Sequence, residues 1–301
     1  MREKICIDDN WLFHLGDLKK EIPKTKGPIY ISSKSETEKW SPAARYYDDK
    51  SDSYDDNRAI NCDCWKIVNL PHDYMIESNV SESAASGPAS GYYTQGVAYY
   101  TKLIDIPQEW EQEAVYLHFD GIMMNATVDI NGCKAILQHN GYIPFSVNIT
   151  PYLYFGKKNR VTITVAPSMQ PNSRWYSGAG IFRSIELLHM PKLHIASDGI
   201  FGYTKSIEYD TLGNPVCAYL HTEVELQNET LENKMALVEV FLTKDGSDEV
   251  LLSRKQKMQI NPNTTDTAYL NLTLENPELW DVENPNLYKL HARVTDLGVF
   301  K

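Results

Sequence analysis

The dominant period along the chain is two. Val115, Leu117 and Phe119 alternate with Tyr116 and His118, and Ala126, Val128 and Ile130 alternate with Thr127 and Asp129. Val161, Ile163 and Val165 alternate with Thr162 and Thr164. Successive side chains of a strand point to opposite faces, so each segment predicts a strand with one face in a core. Asn131-Gly132 directly follows the second segment and suits a type I′ hairpin turn, because both residues tolerate positive φ. The second half repeats the style. Ala218, Leu220, Thr222, Val224 and Leu226 share one face, and Val238, Val240 and Leu242 share another. Ala268, Leu270, Leu272 and Leu274 follow, then Tyr288, Leu290, Ala292 and Val294. Lys244-Asp245-Gly246-Ser247 and Asn261-Pro262-Asn263 supply turn residues between them.

Helical windows are scarce: Pro107–Glu113 predicts one turn in a connection. Ser41–Asp63, rich in Asp, Tyr and Ser, and Ser81–Gly91, built of small residues, read as surface loops. Many short strands with turn signals predict an all-β chain of sandwich or barrel type. A strand over Ser184–Leu188 followed by Pro191 sets a boundary, giving domains 1–190 and 191–301. The second has the size of a seven-stranded immunoglobulin-like sandwich.

The length of 301 residues, 42% of them hydrophobic, suits two cores at ~100–200 residues per domain. Lys+Arg 29 against Asp+Glu 40 gives a net charge of −11, with no basic excess to neutralise phosphates, so no nucleic-acid partner is expected. No stretch approaches the ~18 consecutive apolar residues of a membrane span. The start, Met1–Cys6, shows no apolar signal region, so a cytoplasmic location is expected. Cys6, Cys62, Cys64, Cys133 and Cys217 are scattered and odd in number, which predicts free thiols in a reducing compartment. Cys62-Asp63-Cys64 is too tight for the usual metal pair, and no phosphate loop, zinc motif or calcium loop occurs. No metal or cofactor is expected.

Candidate chemistry concentrates in Ser173–Arg183 (SRWYSGAGIFR). Its glycines permit tight turns, and its Trp and Tyr supply flat apolar faces with polar tips beside an Arg. Residue types alone leave two readings open: a sugar contact, or a structural corner between sheets. Glu109, Glu111 and Glu113, and Glu223 and Glu225, have the spacing of solvated faces. His72 and Asp73 are adjacent, so their side chains diverge; they read as a structural, hydrogen-bonded pair in a loop. No Ser–His–Asp trio is evident.

Arg174–Arg183 resembles the R-W-Y-S-G-[SA]-G-I-[YF]-R segment in the amino-terminal domain of family 2 glycoside hydrolases, which include β-galactosidases and β-glucuronidases. Trp11–Asp17 resembles the family's W-x-F-x-x-G opening, and Val68–Tyr74 its V-x-L-P-H-D-[WY] element. Gly96–Tyr100 resembles G-V-G-[WY]-Y, Gly141–Thr150 resembles G-Y-x-P-F-x-x-[DN]-I-T, and Pro277–Tyr288 resembles P-x-L-W…P-x-L-Y. The resemblance implies a jelly-roll, galactose-binding-like domain followed by an immunoglobulin-like sandwich. The family's catalytic (β/α)8 barrel, about 250 residues, is not within the chain. Its two catalytic glutamates belong to that barrel, so the chain alone is expected to be inactive and to hold no catalytic residue. The expected role is the non-catalytic amino-terminal part of a retaining β-glycosidase, in style a β-galactosidase. The barrel and a β-galactoside are then the partners, and a homo-oligomer is a further expectation. The resemblance also implies Arg174, with Trp175 and Tyr176 as supporting aromatics, at the rim of the sugar pocket, a tie between this domain and the barrel being the alternative for Arg174; Arg183, placed on the following strand, reads as a structural ion pair. The end, Thr295–Lys301, reads as a cut through a longer protein. A free-standing lectin-like pair of sandwiches and a protein-interaction module remain as alternatives.

Overall fold

The computed structural model describes residues 2–16, 65–84, 87–93, 96–167 and 177–299. Ser41–Asp63, Cys64 and the expected site residues Arg174, Trp175 and Tyr176 lie outside the described residues. The chain divides into two compact units, Met1–Met190 and Pro191–Lys301. Both are all-β: the first is a jelly-roll sandwich, the second immunoglobulin-like.

In the first unit, one sheet orders β1 (Glu3–Cys6), β12 (Ile185–Pro191), β6 (Glu113–Phe119) and β9 (Phe145–Asn148). The facing sheet orders β3 (Lys66–Val68), β2 (Trp11–Leu15), β5 (Ala98–Ile106), β10 (Lys157–Val165), β7 (Ala126–Ile130) and β8 (Cys133–Gln138). The alternating residues supply the core: Val115, Leu117 and Phe119 from one sheet meet Val128, Ile130, Val161 and Ile163 from the other. Trp11, Phe13 and Tyr100 complete it. The Asn131-Gly132 turn forms as expected, at φ 51° and 82°. Its asparagine does more than turn the chain. Asn131 Nδ2 donates to Asn159 Oδ1 at 2.7 Å, and Asn159 Nδ2 donates to the Tyr154 carbonyl at 2.9 Å. Asn159 is fully buried, and this bonding removes the penalty of a buried amide.

Pro107–Glu113 forms one 3-10 turn, Gln108–Gln112. Within the expected loop Ser81–Gly91, the described residues Gly87–Ser90 form a 3-10 turn with Ser90 buried. His72 and Asp73 are not in a loop. They form a two-residue strand, β4 (His72–Asp73), paired with β11 (Gly180–Ile181).

The second unit has six described strands rather than the seven expected. One sheet orders β13 (Leu193–Tyr209), β14 (Pro215–Asn228) and β17 (Thr264–Glu275). The other orders β16 (Val250–Ile260), β15 (Lys234–Lys244) and β18 (Tyr288–Val299). The register sets Ala218, Leu220, Thr222 and Val224 opposite Leu274, Leu272, Leu270 and Ala268, so both apolar sets face inward together. Thr222, the polar member, donates its hydroxyl to the Leu270 carbonyl at 2.6 Å.

Candidate functional site

Four of the motif segments meet at one place in the first unit. Strand β2 points Phe13 inward, and β5 points Tyr100 inward beside it. His72 enters this aromatic nest from β4. Phe13 meets it edge-on, with ring centroids 4.6 Å apart, and its Nδ1 lies 2.8 Å from the Tyr100 hydroxyl. The far nitrogen, Nε2, faces Glu77 Oε1 at 3.4 Å. Burial holds the His72 imidazole below its ordinary value, against the opposing pull of Glu77. Burial also pushes the phenols of Tyr74 and Tyr100 well above the usual tyrosine range, so both stay neutral hydrogen-bonding groups. The Tyr74 hydroxyl donates to the Gly96 carbonyl at 2.6 Å, which ties the H-D-Y element to the G-V-A-Y-Y element.

Asp73 points the other way, as adjacency required. Its Oδ1 accepts the backbone N–H of Met75 and of Ala179, both at 3.0 Å. The Tyr74 N–H donates to the Ala179 carbonyl at 3.0 Å. Gly178 sits at φ 73°, and a Cβ there would stand 2.8 Å from Asp73 Oδ2. Gly180, at φ 127°, packs against the His72 carbonyl and leaves 2.7 Å between a notional Cβ and the Tyr100 hydroxyl. These two glycines are required by both conformation and space.

Gly180 also exchanges two backbone hydrogen bonds with Met123, each 2.9 Å. Gly141 closes over Met123, whose Sδ would be 2.5 Å from a Cβ at 141. The G-A-G-I-F-R and G-Y-I-P-F elements are thereby fastened to opposite sides of one residue. Arg183 donates to the Asp120 carbonyl at 3.4 Å and lies 5.3 Å from the centre of the Phe182 ring. Its described contacts are a carbonyl and a ring, not the carboxylate an ion pair would need, and it lies beyond β11 rather than within a strand.

A recess of about 340 Å³ opens beside this junction. Phe13, Leu15 and Tyr74 line its apolar side, and His14, Lys66 and Glu77 its polar side. Among the described residues, Glu77 is the one carboxylate that lines it.

Two clusters were not legible in the sequence. Glu113, expected on a solvated face, is half-buried. Its Oε2 lies 2.5 Å from His189 Nδ1, while Glu3 Oε2 lies 3.1 Å from the other ring nitrogen. Trp110 stacks on the same imidazole at 3.9 Å. A Ser–His–Asp trio does exist. His118 Nδ1 lies 2.8 Å from Ser146 Oγ, and Nε2 lies 3.2 Å from Asp120 Oδ1. His118 and Ser146 sit directly opposite each other on β6 and β9. A cross-strand pair of this kind is what sheet pairing produces by itself. Neighbouring strands bring such residues together, but sequence distance hides them.

The chain is thus two β-sandwich units, the first fastened by a glycine-rich junction. Residues 7–191 match the family described as glycosyl hydrolases family 2, sugar binding domain, and residues 207–299 match glycosyl hydrolases family 2. The chain belongs to glycosyl hydrolases family 2. It is 32% identical over 231 residues to a β-galactosidase of Bacteroides ovatus, a match covering 76% of this chain and 26% of that protein. It is 25% identical over 261 residues to a β-glucuronidase of Formosa agariphila, covering 77% and 25%. Among solved structures, a glycosyl hydrolase family 2 member from Bacteroides cellulosilyticus superposes with a TM-score of 0.76 at 25% identity, over 97% of this chain and 33% of that one. The chain thus spans about a quarter of the length of the curated relatives it matches.

Proposed function

We propose that the chain serves as the non-catalytic amino-terminal part of a retaining β-glycosidase, a β-galactosidase in substrate class, where it supports a catalytic (β/α)8 barrel and shapes one rim of the sugar pocket. The observation that carries this reading is the junction. Asp73, Ala179, Gly180, Met123 and Gly141 lock four separate segments together by backbone bonds and glycine contacts. A junction fastened in this way suits a platform for neighbouring groups. Tyr142 and Ile143 project from it, 61% and 51% exposed, as apolar surface suited to a partner domain. Arg174, Trp175 and Tyr176 immediately precede the junction in sequence and are the residues we assign to the sugar rim. An Arg offers five fixed donors to sugar hydroxyls. The cytoplasm is the proposed compartment, since five scattered cysteines, an odd number, suit a reducing environment.

Arg174→Ala in the intact parent enzyme tests the assignment. Loss of a charged hydrogen bond to the sugar changes KM or kcat by the equivalent of about 1.5–3 kcal/mol. Unchanged kinetics with lowered thermal stability would make Arg174 a domain fastener and overturn the rim assignment.

A further inference from the structure

The outward face of the β13–β14–β17 sheet does not read as a plain solvated surface. Sheets with one wetted face alternate apolar-in with polar-out. Here the inward set is apolar, with Val224, Ala268, Leu270 and Leu272 in the core. The outward set carries aromatic rings: Phe201 is 56% exposed, Tyr203 47% and Tyr269 59%. The register arranges them in rows. Phe201, Glu223 and Tyr269 lie opposite one another, and Tyr203, His221 and Asn271 form the next row. The rings form a continuous band. Centroids are 5.7 Å apart from Phe201 to Tyr203, 5.3 Å from Tyr203 to His221, and 6.1 Å from His221 to Tyr269.

The polar groups in the band are held in place. His221 Nδ1 lies 3.0 Å from Asn271 Oδ1, and Nε2 lies 3.2 Å from Glu223 Oε1. With those atoms engaged, Asn271 presents its amide N–H donors and Glu223 its second carboxylate oxygen. A flat arrangement of ring faces around fixed donors and acceptors complements a pyranose, which offers C–H faces and hydroxyl edges.

We propose that this face of the second unit is a binding site for a neutral oligosaccharide, whose sugar rings stack on Phe201, Tyr203 and Tyr269 and whose hydroxyls bond His221, Glu223 and Asn271. Charge selects the neutral class. Glu223 and Glu225 lie on this face in a chain of net charge −11, which disfavours uronates and phosphates. The span fits an oligomer: Phe201 and Tyr269 are two strand spacings apart, about 9.5 Å. Strand addition is a poor alternative. β13 is an edge strand, but register shifts at Ile195/Ile200, Thr204/Ser206 and Glu208/Tyr209 break the straight ladder that a further strand would need. The site is independent of the Arg174 rim, being built from a different unit and needing no turnover.

The test is titration calorimetry of the 301-residue chain with cellohexaose and with β-1,4-galactohexaose, repeated with hexagalacturonate. Saturable binding of at least one neutral hexamer, and none of the acidic one, is the expected result. Tyr203→Ala and Tyr269→Ala each weaken binding about 2- to 10-fold, the value of one aromatic stacking contact. Tyr269→Phe, which keeps the ring, stays near the parent affinity. Circular dichroism and melting of each variant verify the fold. Failure of the folded chain to bind either neutral hexamer overturns the proposal. So does binding that survives the Phe201→Ala/Tyr203→Ala/Tyr269→Ala triple variant, or equal affinity for the acidic hexamer.

Discussion

Asp73 and Ala179 stand 106 residues apart in the sequence and meet at 3.0 Å, the Asp73 Oδ1 accepting the Ala179 N–H. The bond joins β4 to the stretch leading into β11, and both short strands depend on it. An Asp→Ala change here leaves the Met75 and Ala179 N–H groups without their acceptor. Asp73→Ala should therefore lower the unfolding free energy by about 1–3 kcal/mol, while Asp73→Asn, which keeps an acceptor oxygen, should lose less. Urea unfolding followed by tryptophan fluorescence measures both.

Gly180 and Gly213 separate space from conformation. Both have positive φ, 127° and 83°, but only Gly180 lacks room for a Cβ. Gly213→Ala should cost about 1–2 kcal/mol, the left-handed penalty alone. Gly180→Ala should cost more and abolish the soluble native state or sharply lower Tm, because the His72 carbonyl and Tyr100 hydroxyl must move. Equal melting shifts for the two variants would contradict the close packing described.

The buried His72 makes stability depend on pH. Its folded value lies below 6.5, with burial the largest cause, so between the two values the unfolded chain binds more protons than the native one. The stability is present above pH 6.5 and is lost as the pH falls through the folded value. Melting temperature should decline on acidification below pH 6.5, and His72→Asn should flatten that part of the profile.

Asp129 has the opposite sign. Burial raises its carboxyl above the ordinary value of 3.8, with Lys134 opposing. The native state then binds the proton more tightly, so this group's contribution falls as the pH rises through the window above 3.8. Asp129→Asn should raise Tm at pH 7, and the gain should vanish near pH 3. A loss of stability at pH 7 would show that the ionised carboxylate makes a bond worth more than its burial penalty.

For the segments with clear period-two alternation, the sequence by itself determined the strand and its buried face. Val115, Leu117 and Phe119, or Val224 and Leu226, alternate because a strand exposes its two faces to different media, and that contrast is written locally. The Asn131-Gly132 turn was legible for the same reason: positive φ is a property of the residue itself. The motif strings were local too, and their order carried the family.

Tertiary structure alone decided what meets what. Nothing near Glu113 announces Glu3 or His189, since β1 pairs with β12 across almost the whole first unit. The same holds for Ser146 with His118, and for the aromatic band on β13, β14 and β17. In each case one side chain's partner is chosen by strand pairing and register, which depend on the summed burial of both faces rather than on neighbours in sequence. His72 and Asp73 show both sides at once. Their divergence follows from adjacency, but only the fold sends one into an aromatic nest and the other to the Ala179 backbone.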